Sequence, residues 1–97
     1  EEFAVLLQGT DLGGAVEVGK RLRQAVEDML MAHVGAPWGF VSISVGTAAI
    51  VPVDTITPSG LVESADEALY EAKRRGRNQV VARPSLQLVE PGRAQAN

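Results

Sequence analysis

The chain has 97 residues, of which 45% are hydrophobic and 22% are charged, and its net charge at pH 7 is −3. These values are typical of one small folded domain, and the acidic balance argues against a broad binding surface for nucleic acid or for membranes. The chain has no cysteine and a single histidine, His33, which excludes disulfides, thiolate metal sites and a histidine-based zinc site. No apolar run reaches transmembrane length and no signal peptide is visible, so we expect a cytoplasmic domain.

The first predicted element is a strand over residues 3–7. Phe3, Val5 and Leu7 alternate with Ala4 and Leu6, so that both faces are apolar and the strand should be buried. Native domains seldom begin inside a buried strand, and the sequence therefore looks cut at its start. A turn follows, in which Thr10 or Asp11 can cap the next helix.

That helix is predicted from Leu12 to His33, with Gly35 ending it and His33 serving the negative end of the helix dipole. Its charged residues are interpreted as a solvated face without chemistry: Glu17, Lys20, Arg21, Arg23, Glu27 and Asp28.

A loop over residues 36–39 precedes a second predicted strand, residues 40–50. Trp38 is predicted to cover the edge of the core, with ligand stacking as the alternative. Ser42 and Ser44 have no histidine near them in sequence, so we interpret them as strand serines and not as nucleophiles.

The second helix is predicted over residues 58–75, with Thr57 as its cap and Pro58 at its first position. Its apolar stripe is rich in alanine, which lets a helix approach a sheet closely. The last turn is basic, and Gly76 is placed to take the left-handed conformation that ends the helix. A strand is predicted over residues 78–82. Lys73 and Arg77 can both reach the helix-to-strand corner, where phosphate is the natural occupant. The alternative is that these cations serve only the dipole and solubility.

Residues 1–3, 42–46 and 65–78 together resemble the motifs of a known family, the GGDEF domains or diguanylate cyclases. Glu1-Glu2-Phe3 matches the end of the GG(D/E)EF motif, and residues 42–46 resemble a (T/S)-V-S-I-G strand. The most specific match is the C-terminal signature Ala65-Asp66-x-Ala68-Leu69-Tyr70-x-Ala72-Lys73-x-x-Gly76-Arg77-Asn78.

The resemblance implies an α+β fold with a ferredoxin-like, nucleotide-cyclase palm-type sheet, present here as a β-α-β-α-β fragment. Residues 1–83 would be the C-terminal half of a GGDEF domain and residues 84–97 a flexible tail. The family's hairpin glycines, guanine-contacting residues and inhibitory R-x-x-D site would lie upstream, as would a strand between the first two strands predicted here. Edges left unpaired without that strand should associate with a second copy.

The resemblance further implies that the parent condenses two GTP molecules to cyclic di-GMP across a homodimer and releases pyrophosphate. Glu1 would be a catalytic and metal-binding acid, Glu2 a second catalytic-site acid, and Lys73 and Arg77 the triphosphate-holding residues, with Mg²⁺ or Mn²⁺ as the cofactor. No partnership with nucleic acid and no direct membrane contact is expected, although the parent can be tethered to a membrane through other domains.

Two other functional classes compete with this one. A degenerate GGDEF domain would bind GTP and regulate a partner without turnover, and a plain ferredoxin-like interaction module would use the basic corner only as a helix cap. We expect the isolated chain to make no cyclic di-GMP, because the remaining site residues lie upstream and an amino group at Glu1 would weaken metal binding.

Overall fold

The computed structural model describes residues 2–52, 54 and 57–83 of the chain. They form helix α1 (Leu12–Asp28), strand β1 (Val45–Thr47), helix α2 (Pro58–Arg74) and strand β2 (Val80–Ala82). This order confirms the predicted α+β class. Glu1 and the tail predicted at residues 84–97 lie outside the described residues. Neither described helix is both long enough and apolar enough to cross a bilayer.

The two strands pair in parallel, with Val45 opposite Val80 and Thr47 opposite Ala82. Further backbone bonds extend the ladder at both ends: the Val45 N–H donates to the Gln79 carbonyl and the Arg83 N–H to the Thr47 carbonyl, each at 2.9 Å. Because parallel neighbours need a crossover connection, α2 carries the chain from one end of the sheet back to the other. The start of β2 is thereby tied to the end of α2.

Helices α1 and α2 cover opposite faces of this sheet. A Cβ added at Gly19 of α1 would lie 3.1 Å from Val45 Cγ1 and 3.2 Å from Val80 Cγ1. On the other face, Val81 packs in one buried cluster with two fully buried alanines of α2, Ala68 and Ala72. Successive side chains of a strand point to opposite faces, so the two sets of contacts require three layers. The alanine stripe predicted in the second helix is the surface that meets the sheet.

Both helix starts are as predicted. Asp11 Oδ1 accepts the Gly14 N–H at 2.8 Å at the start of α1. Thr57 Oγ1 accepts the Gly60 N–H at 3.2 Å at the start of α2, and Pro58 follows it. Each cap satisfies a backbone donor that has no partner within its helix.

The predicted end of the first helix is wrong. Helix α1 stops at Asp28, because Leu30 adopts a left-handed conformation with φ of 48°. His33 lies in the loop that follows, where its N–H donates to the Gly39 carbonyl at 3.0 Å. Neither His33 nor Gly35 caps the helix.

The predicted strand over residues 3–7 is also absent, and its apolar residues other than the half-buried Leu7 are exposed, Phe3 to 87% and Leu6 to 85%. A strand needs a neighbour to receive its backbone bonds, and within the described residues this segment has none. The second predicted strand shortens to Val45–Thr47, with an isolated antiparallel bridge between Ala32 and Phe40 ahead of it.

Candidate functional site

The corner between α2 and β2 is a closed backbone turn. Gly76 adopts φ of 116°, the Arg77 N–H donates to the Ala72 carbonyl at 2.9 Å, and the Gly76 N–H to the Lys73 carbonyl at 3.4 Å. This pair of bonds is the Schellman ending of a helix, and it confirms the predicted role of Gly76. Its consequence is that Lys73 and Arg77 lie on either side of one fixed turn.

The basic residues of the corner divide into two groups, and Arg74 and Arg75 form the first. Both pair with Glu71 of the same helix, through Arg74 Nη2 at 2.6 Å and Arg75 Nε at 3.0 Å. Hydrogen bonds from Arg74 and Arg75 lower the pKa of Glu71 to about 2, and the Glu71 carboxylate in turn raises the pKa of Arg74. Arg75 thus pairs with the residue four positions before it, a spacing at which side chains of a helix meet. For these two arginines the dipole and solubility explanation is sufficient.

Lys73 makes a different contact. Its Nζ lies 3.0 Å from Glu2 Oε2, which joins the end of α2 to the start of the chain across 71 positions. The Lys73 side chain is 35% exposed and that of Glu2 58% exposed, so water competes for both groups. The contact places a predicted phosphate ligand beside a predicted catalytic acid, in an ion pair that an anionic ligand can displace.

Arg77 follows the turn in a left-handed conformation, with φ of 64°, and is exposed. Its guanidinium makes no hydrogen bond or ion pair with any other residue in the ranges 2–52, 54 and 57–83. An arginine with its donors open to solvent, four positions after Lys73, is chemically suited to bind phosphate oxygens.

Of the two acids predicted at the site, the structure describes only Glu2. Glu2 is a hard oxygen donor of the type that Mg²⁺ prefers, and Glu1 is outside the described residues. No group of three or more acidic, histidine or cysteine side chains that could hold a metal occurs in the described part of the chain. The Glu2 carboxylate has the donor type that suits Mg²⁺, while the predicted metal-binding role of Glu1 stays a prediction.

Sequence reasoning missed one cluster, which joins α1 to the corner. Arg23 Nη1 donates to Asn78 Oδ1 at 3.1 Å, and Asn78 Nδ2 donates to Glu27 Oε1 at 3.0 Å. Arg23 and Glu27 also pair directly at 3.3 Å. Both were interpreted as solvated, yet their side chains are only 22% and 26% exposed. Their spacing of four on a helix was the available signal, but it did not identify a distant partner.

The remaining candidates do not add chemistry to the corner. Ser44 Oγ accepts the Asn78 N–H at 3.2 Å and serves as a backbone anchor. Trp38 packs obliquely on Phe40, with ring centroids 6.5 Å apart. Tyr70 is 68% exposed. Glu67 pairs with Arg83 at 2.8 Å.

Comparison with known proteins identifies the family of this chain. The family described as "Diguanylate cyclase, GGDEF domain" matches residues 1–79. The chain belongs to the GGDEF domain family.

Three GGDEF relatives illustrate the similarity. Diguanylate cyclase A of Treponema denticola is 39% identical over 80 residues, covering 82% of this chain and 21% of the relative. The response regulator PleD of Caulobacter vibrioides is 38% identical over 85 residues, covering 86% of this chain and 18% of PleD. The probable diguanylate cyclase DgcT of Escherichia coli is 37% identical over 92 residues, covering 93% and 20%. The chain thus spans about a fifth of the length of these relatives.

Proposed function

We propose that this GGDEF chain supplies part of the active site of a diguanylate cyclase, which condenses two GTP molecules to cyclic di-GMP and releases pyrophosphate. The observation that carries the proposal is the 3.0 Å contact between Lys73 and Glu2. It lies within the segment that matches the GGDEF family, between two positions that the family motifs occupy.

Lys73 and Arg77 hold the triphosphate in this proposal. In the absence of nucleotide the Lys73 ammonium is balanced by Glu2. A triphosphate brings several negative charges to the corner, and it can replace the carboxylate as the partner of Lys73 while Arg77 binds a second set of oxygens. Arg74 and Arg75 remain with Glu71 and take no part.

The two adjacent acids form the metal-binding part of the proposed site. Glu1 and Glu2 would be the carboxylate ligands of Mg²⁺ or Mn²⁺, with other ligands from outside this sequence. When bound, the ion neutralises charge on the phosphates and favours ionisation of the attacking hydroxyl. Glu2 released from Lys73 by the incoming triphosphate becomes available to that ion, so nucleotide binding and metal binding support each other.

The reaction requires two such domains facing each other. The 3′-hydroxyl of each GTP attacks the α-phosphorus of the other, a new oxygen–phosphorus bond forms, and the bond to the β-phosphate breaks. Each attack releases one pyrophosphate and one proton. We therefore propose a homodimer as the active unit.

The test is the conversion of GTP by the full-length protein with Mg²⁺, with product identified by mass spectrometry. Wild-type protein should release cyclic di-GMP, and the Lys73→Ala, Arg77→Ala double variant should lose at least about tenfold in kcat/KM, as expected when charged hydrogen bonds to substrate are removed. Arg74→Ala is the matched control, because it removes one positive charge from the same helical turn and should retain activity. Absence of product from folded wild-type protein would overturn the proposal.

A degenerate, GTP-binding GGDEF domain is the second candidate. It needs only the basic corner, where Lys73 and Arg77 can bind phosphate without a complete metal site. The same assay separates the two candidates: GTP that binds to the wild-type protein and is released unchanged identifies a regulatory module.

A further inference from the structure

We propose that Asn78 is a positioning residue for the phosphate-binding Arg77, and that Arg23 and Glu27 of α1 hold it in place. This inference rests on the proposed function of Arg77. It means that α1, on the sheet face opposite α2, contributes to phosphate binding without contacting the phosphate.

The backbone at this corner is strained. Arg77 and Asn78 adopt left-handed conformations in succession, with φ of 64° and 49°. Asparagine tolerates this region better than most side chains, whereas arginine has no such preference. Such residues keep an unfavourable conformation only where their surroundings fix it. Something must therefore hold the corner, and the contacts of Asn78 are suited to do so.

Asn78 is fixed at both its backbone and its side chain. Its N–H donates to Ser44 Oγ at 3.2 Å. Its side-chain oxygen faces the Arg23 guanidinium at 3.1 Å and its side-chain nitrogen faces the Glu27 carboxylate at 3.0 Å. The opposite charges of these two partners determine which end of the amide faces each of them.

The network is partly shielded from water, so its hydrogen bonds are stronger than those of a fully exposed pair. The Arg23 and Glu27 side chains are about one quarter exposed, and their mutual bond closes a ring of three hydrogen bonds with the amide. Both charged residues lie on α1, which packs on the sheet face opposite α2. The ring therefore couples the position of Asn78, the residue that follows Arg77, to the position of α1.

A glycine substitution tests the contribution of the Asn78 side chain separately from that of its backbone conformation. Asn78→Gly keeps the left-handed conformation accessible and removes the ring. Arg23→Gln breaks the same ring from α1 with little effect on helix propensity, and it serves where the first variant folds poorly. Asp28→Ala is the control, because Asp28 lies in the last turn of α1 and contacts Gln24 but not Asn78.

The experiment measures the dissociation constant of inorganic triphosphate by calorimetry on the full-length protein, at a temperature where every variant is folded. Arg77→Ala should weaken binding about tenfold or more. Asn78→Gly and Arg23→Gln should weaken it about threefold to tenfold, a coupling of the size found for residues in contact, and Asp28→Ala should leave it unchanged. In the Arg77→Ala background, Asn78→Gly should cause no further loss.

The outcomes distinguish the two claims. If Arg77→Ala leaves triphosphate binding unchanged, the proposed function of Arg77 fails and this inference fails with it. If Arg77→Ala weakens binding but Asn78→Gly does not, only the positioning role is overturned. The role is also overturned if Asn78→Gly weakens binding equally with and without Arg77, because that result reports a general loss of structure.

Discussion

Gly46 of β1 lies directly against the backbone of Leu69 in α2: a Cβ built on Gly46 would overlap the Leu69 amide nitrogen and the Ala65 carbonyl oxygen, and would be 2.7 Å from Leu69 Cα. The neighbouring atoms are backbone, so they cannot move aside as a side chain would. The close approach of α2 to the sheet, which fixes the corner that carries Lys73 and Arg77, depends on this glycine.

We predict that Gly46→Ala destabilises the chain by at least about 2 kcal/mol, because overpacking against a rigid neighbour forces the helix away from the sheet. Urea unfolding followed by fluorescence of Trp38, the single tryptophan, measures the change. Gly19→Ala is the matched control. Its added methyl meets valine methyls at 3.1 and 3.2 Å and gains about 1 kcal/mol of helix propensity, so its net effect should stay within about 1 kcal/mol. Equal effects of the two substitutions would contradict this packing.

The Glu71 carboxyl gives a prediction for pH. Its pKa falls from 4.5 to about 2 in the folded chain through its bonds to Arg74 and Arg75. The folded state therefore binds fewer protons than the unfolded state between these values, so the contribution of Glu71 to stability is present above pH 4.5 and is lost as pH falls toward 2. A ¹³C NMR titration of the carboxyl should give the low pKa. Added salt should make the shift smaller, because the group is at the surface and salt screens its interaction with the two arginines.

The control for this titration is Arg74→Gln combined with Arg75→Gln, which should return the Glu71 pKa close to 4.5. A pKa that stays near 2 in the double variant would show that some other group stabilises the carboxylate.

Self-association is a third prediction. Residues 3–7 have no strand partner among the described residues, and Phe3 and Leu6 are almost fully exposed. Unpaired, apolar segments of this kind associate readily. The 97-residue chain should therefore sediment as a dimer or larger species, and Phe3→Lys with Leu6→Lys should shift it toward monomer. Tyr70→Lys, at an exposed position on α2, should not. A wild-type chain that is strictly monomeric and unfolds cooperatively would disprove this.

The 97-residue chain should also fail to convert GTP to cyclic di-GMP when incubated alone with Mg²⁺, because Glu1 and Glu2 need further ligands, which the proposed site takes from outside these 97 residues. Chromatography of the nucleotides after incubation checks this. Formation of cyclic di-GMP by the chain alone would show that it contains a sufficient site.

The sequence predicted the features that depend on local chemistry. The caps at Asp11 and Thr57, the alanine stripe and the Gly76 turn follow from residue types at fixed offsets, and all of them are observed. The predicted end of α1 was wrong because the chain leaves the helix at Leu30, a residue type with no preference for a left-handed conformation. The strand at residues 3–7 was wrong because alternation reports which faces are apolar and not whether a neighbouring strand is present.

In the candidate site, too, the features that depend on local sequence were predicted and a cluster of long-range contacts was missed. Lys73 and Arg77 were predicted as phosphate ligands from their place at a helix-to-strand corner, and that role stays a prediction. The structure does place Lys73 3.0 Å from Glu2, a predicted catalytic-site acid. The ring of Arg23, Glu27 and Asn78 was not found, because it joins residues 51 and 55 positions apart and a charged pair on a helix is usually solvated.

The most direct test of the account compares GTP binding by Lys73→Ala with that by Arg74→Ala in the full-length protein. The two variants lose one positive charge from adjacent positions, but only Lys73 contacts Glu2, whereas Arg74 is held by Glu71. We predict that Lys73→Ala raises the dissociation constant for GTP about tenfold or more and that Arg74→Ala changes it less than about twofold. Equal losses in the two variants would mean that the corner attracts nucleotide only through its net charge, and would contradict a phosphate site at Lys73.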